Sequence, residues 1–375
     1  MVGLKKNRVE VLLYVMLALI GAISLMNIYI IQGRAEKVNE AKEIAKEFLR
    51  PAKLEVTKIL LSDCEECFDI ETALESIKKQ NVNVTEERTI YLNENYAKEI
   101  IDKYNIEKIP TLIISGETNK TEQLKSFFGN IGDFPDEKNV VFTSLKPPYY
   151  DVTLSRVVGK VSVINVVDSL CEECIPLSQV ADALKQSGVA ITEEKTYEYF
   201  SSEGIGLINR FDISRIPAIL ISNEVNYYDV KEQIQQLAEE KNGFYALHAT
   251  SAPYRDLKQG KVIGLVKIIL LDDSSCGECY DVSINKQILP RFGVFVNEEE
   301  AYDVSSNEVR ELIAKYNIEK VPALLLSPEV SEYPAFVQVW QSVGTIEGDG
   351  WYVMRKPESL GTYKDLASGE IVQVQ

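Results

Sequence analysis

Three times in this 375-residue chain a Cys-x-x-Cys pair is followed by a proline at one fixed distance. Cys64-Glu65-Glu66-Cys67, Cys171-Glu172-Glu173-Cys174 and Cys276-Gly277-Glu278-Cys279 use all six cysteines, and Pro110, Pro217 and Pro322 stand 46 residues beyond Cys64, Cys171 and Cys276. A gap of two residues suits a local disulfide or half of a zinc site. A proline at a strand is either an edge-strand residue or a cis peptide with a specific backbone role. The constant distance demands that each pair and its proline belong to one folded unit, repeated three times.

The copies agree well beyond the cysteines. An apolar, β-branched run leads into each pair: Lys58 to Asp63, Val163 to Asp168 and Ile268 to Asp273. Such runs, bounded by polar residues, read as buried strands. A helical pattern follows, then a second strand in which Thr85-Glu86-Glu87-Arg88-Thr89 recurs as Thr192-Glu193-Glu194-Lys195-Thr196. After a further helix, Lys103-Tyr104-Asn105-Ile106-Glu107-Lys108-Ile109-Pro110 recurs nearly unchanged as Lys315-Tyr316-Asn317-Ile318-Glu319-Lys320-Val321-Pro322. The middle copy reads Arg210-Phe211-Asp212-Ile213-Ser214-Arg215-Ile216-Pro217. A period of about 105 residues is domain-sized, so these are tandem domains and not solenoid units.

The order strand, Cys-x-x-Cys at a helix start, strand, helix, Ile/Val-Pro and strand resembles the thioredoxin fold. Within it, the chain is similar to the disulfide-exchange proteins, including multi-domain protein disulfide isomerases, over roughly residues 54–355. The resemblance implies an α/β architecture: three tandem thioredoxin-like domains, each a central mixed sheet flanked by helices. It implies that Pro110, Pro217 and Pro322 are cis and lie against the cysteines, with Ile109, Ile216 and Val321 beside the sulfur where a substrate backbone binds. Cys64, Cys171 and Cys276 are then the exposed nucleophiles at helix N-termini, and Cys67, Cys174 and Cys279 resolve the mixed disulfide. Clients are cysteine-bearing proteins; no cofactor and no metal is expected, because zinc would need pairs from separate copies to meet.

The chain departs from the family pattern. Asp63, Leu170 and Ser275 replace the usual tryptophan before the first cysteine, and Lys58, Asn165 and Leu270 replace the acid buried six residues ahead of it. Glu87 and Glu194 are the carboxylates on hand for proton transfer, although a solvated role suits them as well. The Glu-Glu inserts disfavour a thiolate by like charge, so Cys64 and Cys171 are expected to be slower nucleophiles than Cys276. The alternative is a non-catalytic binding scaffold whose pairs are structural disulfides. Against it, so short a loop removes little unfolded-state entropy.

The net charge of −17 excludes a nucleic-acid partner. One histidine, His248, rules out a multi-histidine metal site and reads as a surface or strand-end residue. At the N-terminus Lys5, Lys6 and Arg8 precede a charge-free run from Val11 to Ile31, long enough to span a bilayer. The basic flank predicts a cytoplasmic N-terminus and extracytoplasmic domains, a setting where disulfides persist and where Asn83-Val84-Thr85 and Asn119-Lys120-Thr121 are glycosylation sequons. The expected organisation is a basic tail (1–10), a transmembrane signal anchor (11–32), a helical stalk (33–51) and domains at 52–151, 152–256 and 257–375. The stalk's apolar side suits either the first domain or a second chain; oligomeric state is left open. A membrane redox partner would complete the electron path. Finally, Pro148-Tyr149-Tyr150-Asp151, Pro253-Tyr254-Arg255-Asp256 and Tyr363-Lys364-Asp365-Leu366 form a closing element that travels with the domain before it and reads as a packed, rigid turn. The leading reading is a membrane-anchored extracytoplasmic thiol–disulfide oxidoreductase or isomerase.

Overall fold

The structure, a computed structural model, describes residues 3–374. Met1, Val2 and Gln375 lie outside the described residues, as do the side chains of Lys5, Lys6 and Arg8. One helix runs from Gly3 to Leu49, joining the expected anchor and stalk without a break. From Glu10 onward it is long and apolar enough to cross a membrane. Pro51 ends it, because the residue before a proline is pushed out of the helical region. The stalk's Val38, Ile44 and Phe48 are exposed and do not join the first core. Its end is clamped instead: Arg50 grips Glu117 through two 2.6 Å bonds, and Lys120 Nζ donates to the Arg50 carbonyl at 2.9 Å.

Each copy builds the same five-stranded sheet. In the first, the order across the sheet is Val82–Tyr91, Ala52–Leu60, Thr111–Gly116, Asn139–Phe142, Gly132–Asp133. The leading pair is parallel and the others antiparallel. A parallel pair needs a crossover, here the helix Ile70–Lys78, whose Ile70, Leu74 and Ile77 are buried. Alternation divides the central strand between two cores. Leu112 and Ile114 face the cluster containing Leu74 and Phe128, while Ile113 faces the cluster of Ile59, Ile101 and Ile109. Both faces are covered, so the central strands read as continuous apolar runs. The second sheet runs Ile191–Glu198, Val161–Val167, Ala218–Ser222, Phe244–His248, Glu240–Lys241. The third runs Val296–Asp303, Val266–Asp272, Ala323–Leu326, Tyr352–Met354, Gly344–Ile346. These three mixed sheets flanked by helices are tandem thioredoxin-like folds. His248 is exposed at the end of its strand.

The chain forms two compact units divided after Val157. The second unit holds the second and third five-stranded sheets, and its residues Ala249, Ala252 and Tyr254 enter the same core as Val266, Leu270 and Tyr333. Gly264 makes that junction possible. Its φ is +86°, its carbonyl accepts the Tyr333 hydroxyl at 2.6 Å, and a Cβ there would meet the Ala252 Cβ at 2.3 Å.

Candidate active site

Each Cys-x-x-Cys is a closed disulfide, with Cα atoms 5.3, 5.4 and 5.5 Å apart. The second cysteine's N–H donates to the first cysteine's carbonyl at 3.4, 3.3 and 3.3 Å, so each pair forms a turn. The pairs do not open the helices, contrary to expectation: those begin later, at Ile70, Ser178 and Ser283. The cause lies two residues after each second cysteine. Asp69 accepts from the Glu71 N–H at 3.0 Å and Asp281 from the Ser283 N–H at 2.8 Å, and Pro176 holds the same place in the middle copy. A helix field fades within its first turn, so it does not reach Cys64, six residues upstream of Ile70. The expected burial pattern is corrected as well. Cys171 and Cys276 are only 6% and 7% exposed, whereas Cys64 and Cys67 are half-buried.

The Ile109-Pro110, Ile216-Pro217 and Val321-Pro322 bonds are cis, as are Pro147-Pro148 and Ala252-Pro253 in the closing elements. In the first copy Pro110 lines one cleft with Cys64, Cys67, Phe68 and Leu61. In the third copy the Tyr280 hydroxyl, next to Cys279, donates to the Pro322 carbonyl at 3.2 Å. Burial pushes that phenol up to about 12. Ile109, Ile216 and Val321 are fully buried.

The closing elements are strands, and they dock on the strand ahead of each cis proline. Tyr149–Asp151 pairs with Lys108–Ile109, Tyr254–Asp256 with Arg215–Ile216, and Tyr363–Asp365 with Lys320–Val321. Cations cover their tyrosines: Lys108 over Tyr149 at 5.0 Å, Arg215 over Tyr254 at 4.4 Å and Lys320 over Tyr363 at 5.0 Å. In the second and third copies the next residue of the strand reaches the cysteine loop. Arg255 binds the buried carboxylate of Asp168, and Lys364 Nζ lies 2.6 Å from Asp273 Oδ2 and 2.9 Å from Ser275 Oγ. Asp168 and Asp273 each stand three residues before the first cysteine, where the first copy has Leu61. There Leu61 and Tyr150 pack on one apolar cluster. Burial raises the Asp273 carboxyl, but Lys364 and Ser275 outweigh it and leave the group below its ordinary value. These four polar residues escaped the sequence reading, though the cation in two closing elements matches an aspartate in the same two copies.

The remaining candidates are accounted for by ion pairs. Glu87 lies 2.8 Å from Lys78 and 3.5 Å from Lys58; the Lys78 ammonium holds it below the usual carboxylate range. Glu194 pairs with Lys185 at 2.9 Å. Both are exposed on edge strands. Glu278, inside the third pair, accepts from Gln373 at 2.7 Å. No group of metal-ligating side chains occurs among the described residues.

No family model matches the chain, and no curated protein matches it. Among solved structures, the alkylhydroperoxide reductase component AhpF of Enterococcus faecalis aligns at 16% identity over 45% of this chain and 82% of its own, with a TM-score of 0.14. A protein disulfide oxidoreductase from Aeropyrum pernix aligns at 15% over 50% and 82%, with a TM-score of 0.13. Human ERp44 aligns at 13% over 79% and 85%, with a TM-score of 0.14. At such values the fold assignment rests on this chain's own strand order, three times repeated.

Proposed function

We propose that this chain is a thiol–disulfide oxidoreductase acting on cysteine-bearing proteins, anchored by its N-terminal helix with the three folds outside the cytoplasm. The observation that carries this reading is the first copy's cleft, where Cys64, Cys67 and cis-Pro110 line one surface. In the oxidising direction a client thiolate attacks one sulfur of the Cys64–Cys67 disulfide and the other leaves as a thiolate. A second client thiolate then breaks the mixed disulfide. The client loses two electrons and the pair gains them. Reduction of a client is the reverse. A membrane redox partner would reset the pair.

Accessibility ranks the first pair ahead of the third, reversing the order that the acidic inserts alone suggest. The low exposure of Cys171 and Cys276 favours a second reading for their copies, as binding modules whose disulfides close a loop. The test is client exchange by the full chain in detergent micelles. Cys64→Ser abolishes most of the rate, and Cys171→Ser with Cys276→Ser leaves most of it. Unchanged exchange after all three substitutions refutes the enzyme in favour of the scaffold.

A further inference from the structure

The docking of the closing strands has a consistent phase. Val152 N–H donates to the Glu107 carbonyl at 2.9 Å, Leu257 N–H to Ser214 at 3.0 Å and Leu366 N–H to Glu319 at 2.8 Å. In an antiparallel ladder, bonded and non-bonded pairs alternate. The next bonded pair towards each proline is therefore Ile109–Tyr150, Ile216–Arg255 or Val321–Lys364. The N–H and the C=O of the residue before every cis proline are thus both engaged by the chain itself. Those three side chains are also fully buried.

The closing segment is tied to the cysteine loop as well. Phe68 N–H, just after Cys67, donates to the Pro148 carbonyl at 2.8 Å, and Tyr280 N–H, just after Cys279, donates to Thr362 at 3.0 Å. Lifting the strand in the second copy would also strip Arg255 from the enclosed Asp168 carboxylate, and in the third it would strip Lys364 from Asp273. The second and third strands are held on two sides of the site, by main chain at the proline and by side chain at the cysteine turn, and the first is held by main chain at both.

We infer that the closing strand fills the place where a client's main chain would pair, so that the reactive cysteines take disulfides carried on protruding loops or small molecules, and not disulfides within an extended chain. This substrate class rests on the oxidoreductase reading above. A client reaches the sulfur by side-chain contacts in the cleft alone, with no strand added beside the proline.

Two measurements on the full chain in detergent micelles test it. The first is hydrogen exchange at the amides of Ile109, Ile216 and Val321, which is slowed ~100-fold or more against exposed turns if the edge is occupied. Exchange as fast as in exposed turns overturns the inference whatever the activity. The second uses protein reduced beforehand and freed of reductant. Its dithiol is offered oxidised glutathione, yielding two glutathiones, or a ten-residue extended peptide whose central cysteine is joined to glutathione, yielding the free peptide and one glutathione. The two rates agree within about threefold if no strand is added. A peptide advantage of about tenfold or more overturns the inference alone. Reaction with neither substrate overturns the oxidoreductase reading, and the substrate class with it. In Tyr150→Pro, which removes the N–H that pairs with Ile109, the peptide gains over glutathione if the variant folds; the wild-type amides decide the matter if it does not.

Discussion

Lys364→Met isolates what a closing strand contributes to the third copy. Its ammonium sits 2.6 Å from Asp273, with the two side chains 21% and 8% exposed. Breaking a fully buried pair by removing one partner costs roughly 3–5 kcal/mol, whereas exposed pairs contribute about 0–1 kcal/mol. Asp273 keeps the Ser275 N–H at 2.9 Å and the Ser275 hydroxyl, and Lys364 already meets solvent. The expected loss is therefore intermediate, about 2 kcal/mol. Asp273→Asn keeps an acceptor and lets Lys364 hydrate, so it loses less, about 1 kcal/mol. The chain supplies its own probe: both tryptophans, Trp340 and Trp351, lie in this copy, so fluorescence during urea unfolding reports it selectively. The pH profile adds a check on sign. Asp273 is held below 3.8 in the folded protein, so its contribution is present above 3.8 and is lost as pH falls below it. Lys364→Met removes a principal lowering contact and flattens that acid-side loss. A cost under about 0.5 kcal/mol, or an acid profile superimposable on the parent's, would refute the account.

Three further outcomes follow from the same geometry. Tyr333→Phe removes the hydroxyl that donates to Gly264 at 2.6 Å and accepts from Phe295 N–H at 3.2 Å, so tryptophan-detected unfolding shifts by about 1–3 kcal/mol. Gly264→Ala meets both a left-handed φ and the Ala252 methyl, and limited proteolysis should cut the second unit faster around 250–265 in that variant while leaving the first unit intact. At the stalk, Arg50 holds the Glu117 carboxyl down to about 2 from its ordinary 4.5. The clamp's stabilisation is present above pH 4.5 and fades as pH falls towards 2. The Lys53 amide, which donates to Glu117 at 2.8 Å, then exchanges faster relative to its intrinsic rate, and Glu117→Gln reproduces the effect at neutral pH.

How legible the molecule was depends on the range of the interaction that decides each feature. Strand order and the partition of each sheet between two cores come from periodicity, and Leu112, Ile113 and Ile114 state that pattern locally. The late helix starts also have local signals, in the N-cap Asp69 and in Pro176 and Asp281, whereas the family resemblance implied that the cysteines stand at the helix start. The contacts that close each site span 87 residues from Asp168 to Arg255 and 91 from Asp273 to Lys364. No periodicity reports such a distance. Comparison between copies does report it: Leu61 goes with Tyr150, Asp168 with Arg255 and Asp273 with Lys364. In the first copy Leu61 and Tyr150 both pack on one apolar cluster, where the other copies place a carboxylate against a cation, consistent with an enclosed charge needing a partner from the strand lying on it. That matching makes a transplant decisive. Asp273→Leu with Lys364→Tyr installs the first copy's pair in the third, and it should recover at least half of the stability lost by Lys364→Met alone, because no buried charge remains to be solvated. If the double variant is no more stable than the single one, the two pairs are not alternatives for one structural role, and the closing strand is held at each site for a different reason.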